Sequence, residues 1–128
     1  MLENEISSHV IRAAIEVHKI LGPGLLESTY RECLFYELYD KKFMVLKEHV
    51  LPVIYKGIQL DLGYRVDFLI ENKVIIEIKA VESLNDIHLA QAITYLKLSG
   101  CKLGLLINFN VKLLKQGIKR VIYDSRMN

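Results

Sequence analysis

Two acids and a lysine, Asp67, Glu77 and Lys79, stand within one stretch of chain from Tyr64 to Ala80. The stretch has two runs rich in β-branched and aromatic residues, separated by Glu71-Asn72-Lys73, and this pattern predicts a β-hairpin. Successive side chains of a strand point to opposite faces of the sheet, so Glu77 and Lys79 share one face. Whether Asp67 lies beside them depends on the register in which the strands pair.

The length of the hairpin loop decides that register. A two-residue loop at Glu71-Asn72 would place Asp67 opposite Ile76, whereas a three-residue loop, or a bulge of the same parity, would place it opposite Glu77. The second choice is favoured because the even positions of both strands are apolar, namely Val66, Phe68, Ile70, Val74, Ile76, Ile78 and Ala80. We therefore predict one core face, and a second face that presents the two acids and the lysine.

This arrangement suits hydrolysis of a phosphodiester with the help of a metal ion. Two carboxylates on neighbouring strands, with Cβ atoms about 5 Å apart, repel each other unless a cation or a proton lies between them. Carboxylate oxygens are typical ligands of Mg²⁺ and Mn²⁺, and Lys79 could orient or deprotonate a water at the metal and balance phosphate charge. A plainer interpretation is that these are solvated charges, whose cross-strand pairing contributes only ~0.2–1 kcal/mol.

The composition is that of a globular chain, and we expect a single domain over residues 1–128. Hydrophobic residues make up 52% and charged residues 25% of the sequence, which argues against disorder. No apolar run approaches the roughly 20 residues of a membrane span, and MLENEISSHV lacks the regions of a signal peptide, so a cytoplasmic location is expected. Cys33 and Cys101 lack metal-type spacing and are expected to be reduced, packed thiols.

The periodicity of apolar residues predicts eight principal elements in the order α-α-β-β-β-α-β-β. Gly22-Pro23-Gly24 separates the first two helices, and Tyr55 to Leu62 is expected to be a loose connection. The helices are predicted over Asn4 to Leu21, about Leu25 to Lys42, and about Asp86 to Leu98. The strands outside the hairpin are predicted over Phe43 to Ile54, with Pro52 marking an edge or bulge, Lys102 to Asn108, and Lys119 to Tyr123.

The second helix adds a candidate carboxylate. Glu27, Tyr30 and Leu34 fall at i, i+3 and i+7, so they share one stripe of that helix. Glu27 can be explained as an acid at a helix N-terminus, an interaction worth ~0.3–1 kcal/mol. The functional interpretation makes it a third carboxylate above the hairpin site.

The third helix carries a polar stripe of His88, Gln91 and Tyr95, spaced at i, i+3 and i+7. Apolar residues occupy interleaved positions, so the stripe is expected to be separate from the core face. Its groups could contact a substrate phosphate or tune Lys79, although His88 taken singly is more often a surface or core histidine.

The net charge of +2 permits a nucleic-acid partner without demanding one. Lysines and an arginine near the end of the chain form a candidate contact with a phosphate backbone, although a solvated tail would look similar. These residues are Lys112, Lys115, Lys119 and Arg120.

With Asp67, Glu77-Ile78-Lys79 and Gln91-x-x-x-Tyr95 placed on these elements, the chain resembles the PD-(D/E)XK nuclease superfamily. More narrowly, Gly24-Leu25-Leu26-Glu27-Ser28-Thr29-Tyr30 is similar to the motif that names the GxxExxY protein family, a small branch of that superfamily. One departure is Val66, which precedes Asp67 where the superfamily's name has proline, and that position is often apolar in such nucleases.

The resemblance implies an α/β (α+β) fold with a restriction-endonuclease-like core, in which a central mixed sheet is flanked by helices. It also implies a nuclease that depends on Mg²⁺ or Mn²⁺ and cleaves DNA or RNA, and small nucleases of this type often act as homodimers. The implied metal ligands are Glu27, Asp67, Glu77 and the Ile78 carbonyl, with Lys79 as the catalytic lysine and Gln91 and Tyr95 lining the pocket.

Two other functions remain open at this point. One is a non-catalytic module that binds nucleic acid or a protein on the same scaffold, for which salt-sensitive binding without cleavage would be the sign. The other is a protein-interaction domain that uses the exposed edge strand near Pro52.

Overall fold

The structure, a computed structural model, describes residues 1–125. Positions 126–128 of the expected domain lie outside the described residues. The helices are α1 (Glu3–Leu21), α2 (Glu27–Asp40) and α3 (Asp86–Ser99), with a short 3-10 helix at Leu114–Gly117. The strands are β1 (Val45–Val50), β2 (Val53–Tyr55), β3 (Ile58–Leu60), β4 (Arg65–Ile70), β5 (Val74–Lys79), β6 (Leu103–Asn108) and β7 (Ile118–Ile122).

Five strands form a mixed sheet in the order β1-β4-β5-β6-β7. Only β5 and β6 run parallel, with α3 in the crossover between them, and the other neighbours are antiparallel. The predicted α+β architecture, a central mixed sheet flanked by helices, is confirmed. Because β5 and β6 are parallel and Lys79 pairs with Asn108, the segments that follow both strands leave the sheet at the same edge.

Both faces of the sheet are covered, although the sequence pattern predicted only one core face. Helices α1 and α2 pack on the face that carries Phe68, Ile76 and Ile78. Leu69 and Ile75, on the opposite face, are buried in a second cluster under α3. A strand that is buried on both faces has a nearly continuous run of apolar residues in its sequence, as β5 does. Asp67 and Glu77 therefore lie beside a second core.

The hairpin pairs in the predicted register. Phe68 lies opposite Ile76 and Ile70 lies opposite Val74, so three residues, 71–73, form the loop. Glu71 and Asn72 have φ of 53° and 56°, a left-handed conformation that Asn tolerates better than most residues. Continued by one step, this register brings Asp67 opposite Glu77.

The single strand predicted over Phe43 to Ile54 is wrong, and so is the loose connection after it. β1 ends at Val50, and Pro52 lies between β1 and β2, where the missing N–H of proline removes a hydrogen-bond donor. β2 and β3 instead pair with each other as a separate two-stranded ribbon. Lys56 and Gly57 form its two-residue turn with φ of 51° and 81°, as a type I′ turn requires.

The three helices agree with the sequence, apart from their ends. α2 begins at Glu27, two residues later than predicted, and Gly100 ends α3 with a φ of 75°. No helix within residues 1–125 is long and apolar enough to cross a membrane. Both cysteines are reduced, as expected, with Cys101 buried and Cys33 partly buried.

Candidate active site

Asp67 and Glu77 link the ends of β4 and β5 through their carboxylates. The backbone pairing of these strands ends at Phe68 and Ile76, although both strands continue past that pair. Beyond that point the Asp67 N–H donates to Glu77 Oε1 at 2.8 Å, and the Ile78 N–H donates to Asp67 Oδ2 at 2.7 Å. Each carboxylate thus takes the place of a backbone acceptor, and the two acids are held together by the chain itself.

Glu77 is strongly perturbed by this position. It is only 8% exposed, and burial raises the pKa of its carboxyl from 4.5 to about 8, with repulsion from Asp67 adding to the rise. The Asp67 N–H and the positive charges of Lys79 and Arg31 act in the opposite direction. At neutral pH the pair therefore holds a proton, unless a cation takes its place.

Arg31 is a site residue that the sequence interpretation missed. Its Nε donates to Asp67 Oδ1 at 2.9 Å, and the two side chains are 20% and 14% exposed. A signal was present, because Arg31 follows Glu27 by four residues on α2 and so shares its face. The guanidinium supplies one positive charge to the acid pair.

Glu27 reaches the same end of the sheet from α2. Its Oε2 accepts a hydrogen bond from the Ala80 N–H at 3.4 Å, directly after β5. Tyr30, one turn later, is fully buried and its hydroxyl donates to the Gly22 carbonyl oxygen at 2.6 Å. That hydroxyl also accepts from the Leu25 N–H at 3.1 Å. The stripe predicted on α2 is therefore inward-facing, and its tyrosine fixes the connection that leads to Glu27.

Lys79 ends β5 and faces α3. Its Nζ donates to Gln91 Oε1 at 3.5 Å, at the upper limit of hydrogen-bond length. The Lys79 carbonyl oxygen accepts from the Phe109 N–H at 2.9 Å. Strand pairing thus fixes the backbone of the lysine, while its ammonium group lies beside the exposed Gln91 amide.

Tyr95 lies at the junction of the acid pair and the second core. It is 7% exposed, so the expectation that its stripe is separate from the core face is wrong. Burial is the largest cause that raises the pKa of the Tyr95 phenol, followed by repulsion from Glu77. Tyr64 and Asp67 raise the pKa of this phenol further, by smaller amounts.

His88 does not extend this stripe toward the acids. Its Nδ1 accepts from the Asn85 N–H at 3.1 Å, while the Asn85 side chain accepts from the His88 N–H at 3.0 Å. This reciprocal pair caps α3 at Asn85.

Asn108 is a second residue that the sequence interpretation missed. It is 1% exposed and pairs with Lys79 across β5 and β6. Its Oδ1 accepts from the Val81 N–H at 3.0 Å and its Nδ2 donates to the Val81 carbonyl oxygen at 2.9 Å. The amide therefore fixes the chain two residues beyond Lys79. An asparagine that ends an otherwise apolar strand was the available signal.

Within residues 1–125, no group of three or more His, Cys, Asp or Glu side chains is arranged to hold a metal ion. Of the predicted ligands, Asp67 and Glu77 lie together, whereas Glu27 is hydrogen-bonded to the Ala80 N–H. The donor set nonetheless fits a hard divalent cation, because both acids supply oxygen, and burial followed by repulsion from Asp67 raises the pKa of Glu77. Ile78, whose carbonyl was the fourth predicted ligand, directly follows Glu77 in β5, and its N–H donates to Asp67 Oδ2.

The basic residues predicted to form one cluster lie in three places. Lys112 and Lys115 line a cavity of about 430 Å³ next to the end of α1. Lys119 lines a different cavity, together with Glu82. Arg120 is engaged within the chain, since it donates to Ser7 Oγ at 2.9 Å and to Asn4 Oδ1 at 2.6 Å.

Comparison with known proteins gives one positive finding. The sequence model of the PD-(D/E)XK nuclease superfamily matches residues 4–121, which is most of the chain. No curated protein and no solved structure matches it. The matched range includes α1 to α3 and both strands of the acid pair.

Proposed function

Because the chain belongs to the PD-(D/E)XK nuclease superfamily, we propose that it hydrolyses phosphodiester bonds of DNA or RNA with a divalent metal. The site would consist of Glu27, Asp67, Glu77 and Lys79. The observation that carries this proposal is the hydrogen-bonded pair of Asp67 and Glu77, in which burial, and then repulsion from Asp67, raises the pKa of Glu77 to about 8. Such a pair needs a cation to be fully ionised at neutral pH.

We also propose that the chain belongs to the GxxExxY branch. The glutamate and the tyrosine that the motif names each make a specific contact. Glu27 contacts the end of β5, and Tyr30 fixes the connection that precedes α2. A single domain, a cytoplasmic location and dimer formation stay predictions from the sequence.

In the proposed mechanism Asp67 and Glu77 would hold the cation, with the Ile78 carbonyl and Glu27 as further ligands. When bound, Mg²⁺ or Mn²⁺ would supply Lewis acidity and neutralise charge that develops on the phosphate. Glu77 must lose its proton before it can ligate, and Arg31 offsets part of the resulting negative charge.

The remaining site residues position the substrate and its water. The Lys79 ammonium would donate to a phosphate oxygen or hold the attacking water, and Gln91 keeps it in place through the contact at 3.5 Å. Tyr95, whose pKa is raised by burial and by Glu77, would donate its phenolic proton to the same phosphate. The Phe109 N–H fixes the Lys79 carbonyl, and Asn108 fixes the backbone at Val81, two residues later.

A second candidate is a module that binds nucleic acid without cleaving it. The observation that favours it is the ion pair between Arg31 and Asp67 at 2.9 Å. With Glu77 protonated, that contact balances the charge of Asp67 from within the chain, so the fold does not require a metal.

Cleavage assays separate the two candidates. Labelled single- and double-stranded DNA and RNA would be incubated with Mn²⁺ and native protein, Asp67→Asn, or Asp40→Asn as a matched exposed control. We expect cleavage by the native protein and by Asp40→Asn, and loss of cleavage in Asp67→Asn. Equal activity in all three preparations would indicate a contaminant. Binding of a nucleic acid by the native protein, with no cleavage in any lane, would favour the non-catalytic module.

A further inference from the structure

A basic cleft lies between the end of α1 and the segment that follows β6. It has a volume of about 430 Å³ and is lined by Lys19 and His18 on one side and by Lys112 and Lys115 on the other. Gly22 and Pro23 complete the wall that leads toward α2. We refer to this feature as the basic cleft.

The lysines that line the basic cleft give it a positive charge. Its described lining includes three lysines and no aspartate or glutamate. Lys19, Lys112 and Lys115 are all exposed. The ion pairs found in residues 1–125 join Arg31 to Asp67 and Lys47 to Glu32, so none involves a lysine of the cleft. The three ammonium groups are therefore available to an anionic ligand.

Contacts within the chain hold both walls of the cleft in place. His18 Nε2 donates to the Val111 carbonyl oxygen at 2.8 Å, which joins α1 to the segment that carries Lys112. Tyr30 stacks on Phe109 with ring centroids 4.5 Å apart, and its hydroxyl donates to the Gly22 carbonyl oxygen. The cleft is thus built on fixed backbone.

The basic cleft opens at the same edge of the sheet as the candidate active site. Lys112 follows Asn108 by four residues, and Asn108 pairs with Lys79 at the parallel ends of β5 and β6. Pro23 precedes Glu27 by four residues along the chain. Four residues span at most about 14 Å, so one wall of the cleft lies within that reach of Asn108, the partner of Lys79, and the other within that reach of Glu27.

We propose that the basic cleft binds the phosphodiester backbone of the same nucleic-acid strand whose scissile phosphate lies at Asp67, Glu77 and Lys79. The inference rests on the proposed function and adds the path of the strand. The phosphates that enter the basic cleft belong to nucleotides that flank the scissile one. Lys112 and Lys115 contact them from one wall and Lys19 from the other. Lys119 and Arg120 have no part in this path.

The test compares two double variants with the same net charge. Lys112→Gln/Lys115→Gln removes charge from the cleft. Lys41→Gln/Lys102→Gln removes it from exposed positions at the end of α2 and before β6, away from the site edge. Affinity for fluorescein-labelled single-stranded DNA, duplex DNA and RNA would be measured in EDTA by anisotropy, over about 50 to 200 mM salt. Circular dichroism would check that both variants are folded.

Loss of two phosphate contacts lowers the slope of log K against log salt by about 1.4 for single strands, equivalent to about 25-fold in affinity near 0.1 M salt. We expect this loss in the cleft variant and affinity within about twofold of native in the control. Lys19→Gln alone would lower the slope by about 0.7. Equal affinities of the two double variants would overturn the proposal, and so would a native protein that binds none of the three nucleic acids.

Failure of the proposed function is measured separately. Bis(p-nitrophenyl) phosphate has no flanking nucleotides that could reach the cleft, so Mn²⁺-dependent hydrolysis by native protein, compared with Asp67→Asn, tests only the acid pair. Binding that requires Lys112 and Lys115, without hydrolysis of the small ester, would support the cleft and count against the nuclease. Hydrolysis of the small ester without any oligonucleotide binding would support the nuclease and contradict the proposed role of the cleft.

Discussion

Replacing Glu77 with glutamine should remove a pH-dependent cost to the stability of the metal-free protein. The folded protein binds the Glu77 proton more tightly than the unfolded chain, since burial and Asp67 raise the pKa of this carboxyl from 4.5 to about 8. Native stability should therefore fall as the pH rises from about 4.5 to about 8, and level off above that range. Glutamine keeps the shape of the side chain and an acceptor for the Asp67 N–H, and it carries no charge.

The magnitude follows from the size of the pKa rise. At 1.36 kcal/mol per pKa unit, a rise from 4.5 to about 8 corresponds to a cost of about 5 kcal/mol once Glu77 is fully ionised. Between pH 5 and pH 8.5 the difference in unfolding free energy between Glu77→Gln and native protein should grow by about 4 kcal/mol. This is a large share of the roughly 5–15 kcal/mol by which domains are usually stable.

The assay is urea unfolding in EDTA at pH 5, 7 and 8.5, followed by circular dichroism. Glu16→Gln, an exposed position on α1, is the matched control and should track the native protein at every pH. A difference between Glu77→Gln and native protein that stays constant within about 1 kcal/mol from pH 5 to pH 8.5 would refute the reasoning, because a pKa gap cannot exist without that slope.

Two further variants test the residues that hold the site. Arg31→Gln removes the guanidinium that occupies Asp67 Oδ1, so Mn²⁺ should bind several-fold tighter by calorimetry; unchanged or weaker binding would show that Arg31 does not compete with the cation. Asn108→Ala removes the buried amide that bonds the Val81 N–H and carbonyl and should lower the free energy of unfolding by about 1–3 kcal/mol in urea. Asn110→Ala, which removes only an exposed contact of 3.4 Å to the same carbonyl, should cost less than half of that.

The register of the central hairpin could be predicted because its apolar residues alternate without a break. Shifting the pairing by one residue would have moved every core side chain to the other face. The same alternation concealed the second core, since Leu69 and Ile75 share the parity of the acids and only the position of α3 shows that they are buried. Periodicity identifies a face of a strand, and the packing of a later element decides whether that face is covered.

The missed site residues have a common physical cause. Arg31 and Asn108 act through contacts between segments far apart in sequence, with Asp67 and Val81 respectively. The partners are 36 and 27 residues apart in the sequence, so no spacing identifies either partner, although the spacing from Glu27 indicates the face of Arg31. The ribbon of β2 and β3 was missed for a local reason. Its strands are only three residues long, too short for alternation to be seen, and Lys56-Gly57 was not interpreted as a type I′ turn.

Calorimetric titration of Mn²⁺ tests the metal site of the proposed nuclease most directly. It would be run at pH 7 in two buffers with different enthalpies of ionisation. A carboxyl with a pKa of about 8 is mostly protonated at pH 7, and a ligand must be deprotonated to bind a metal. Native protein should therefore release about one proton for each Mn²⁺ bound. Glu77→Gln should bind more weakly and release none. Mn²⁺ binding without proton release, or equal binding by both proteins, would contradict a metal site at Asp67 and Glu77.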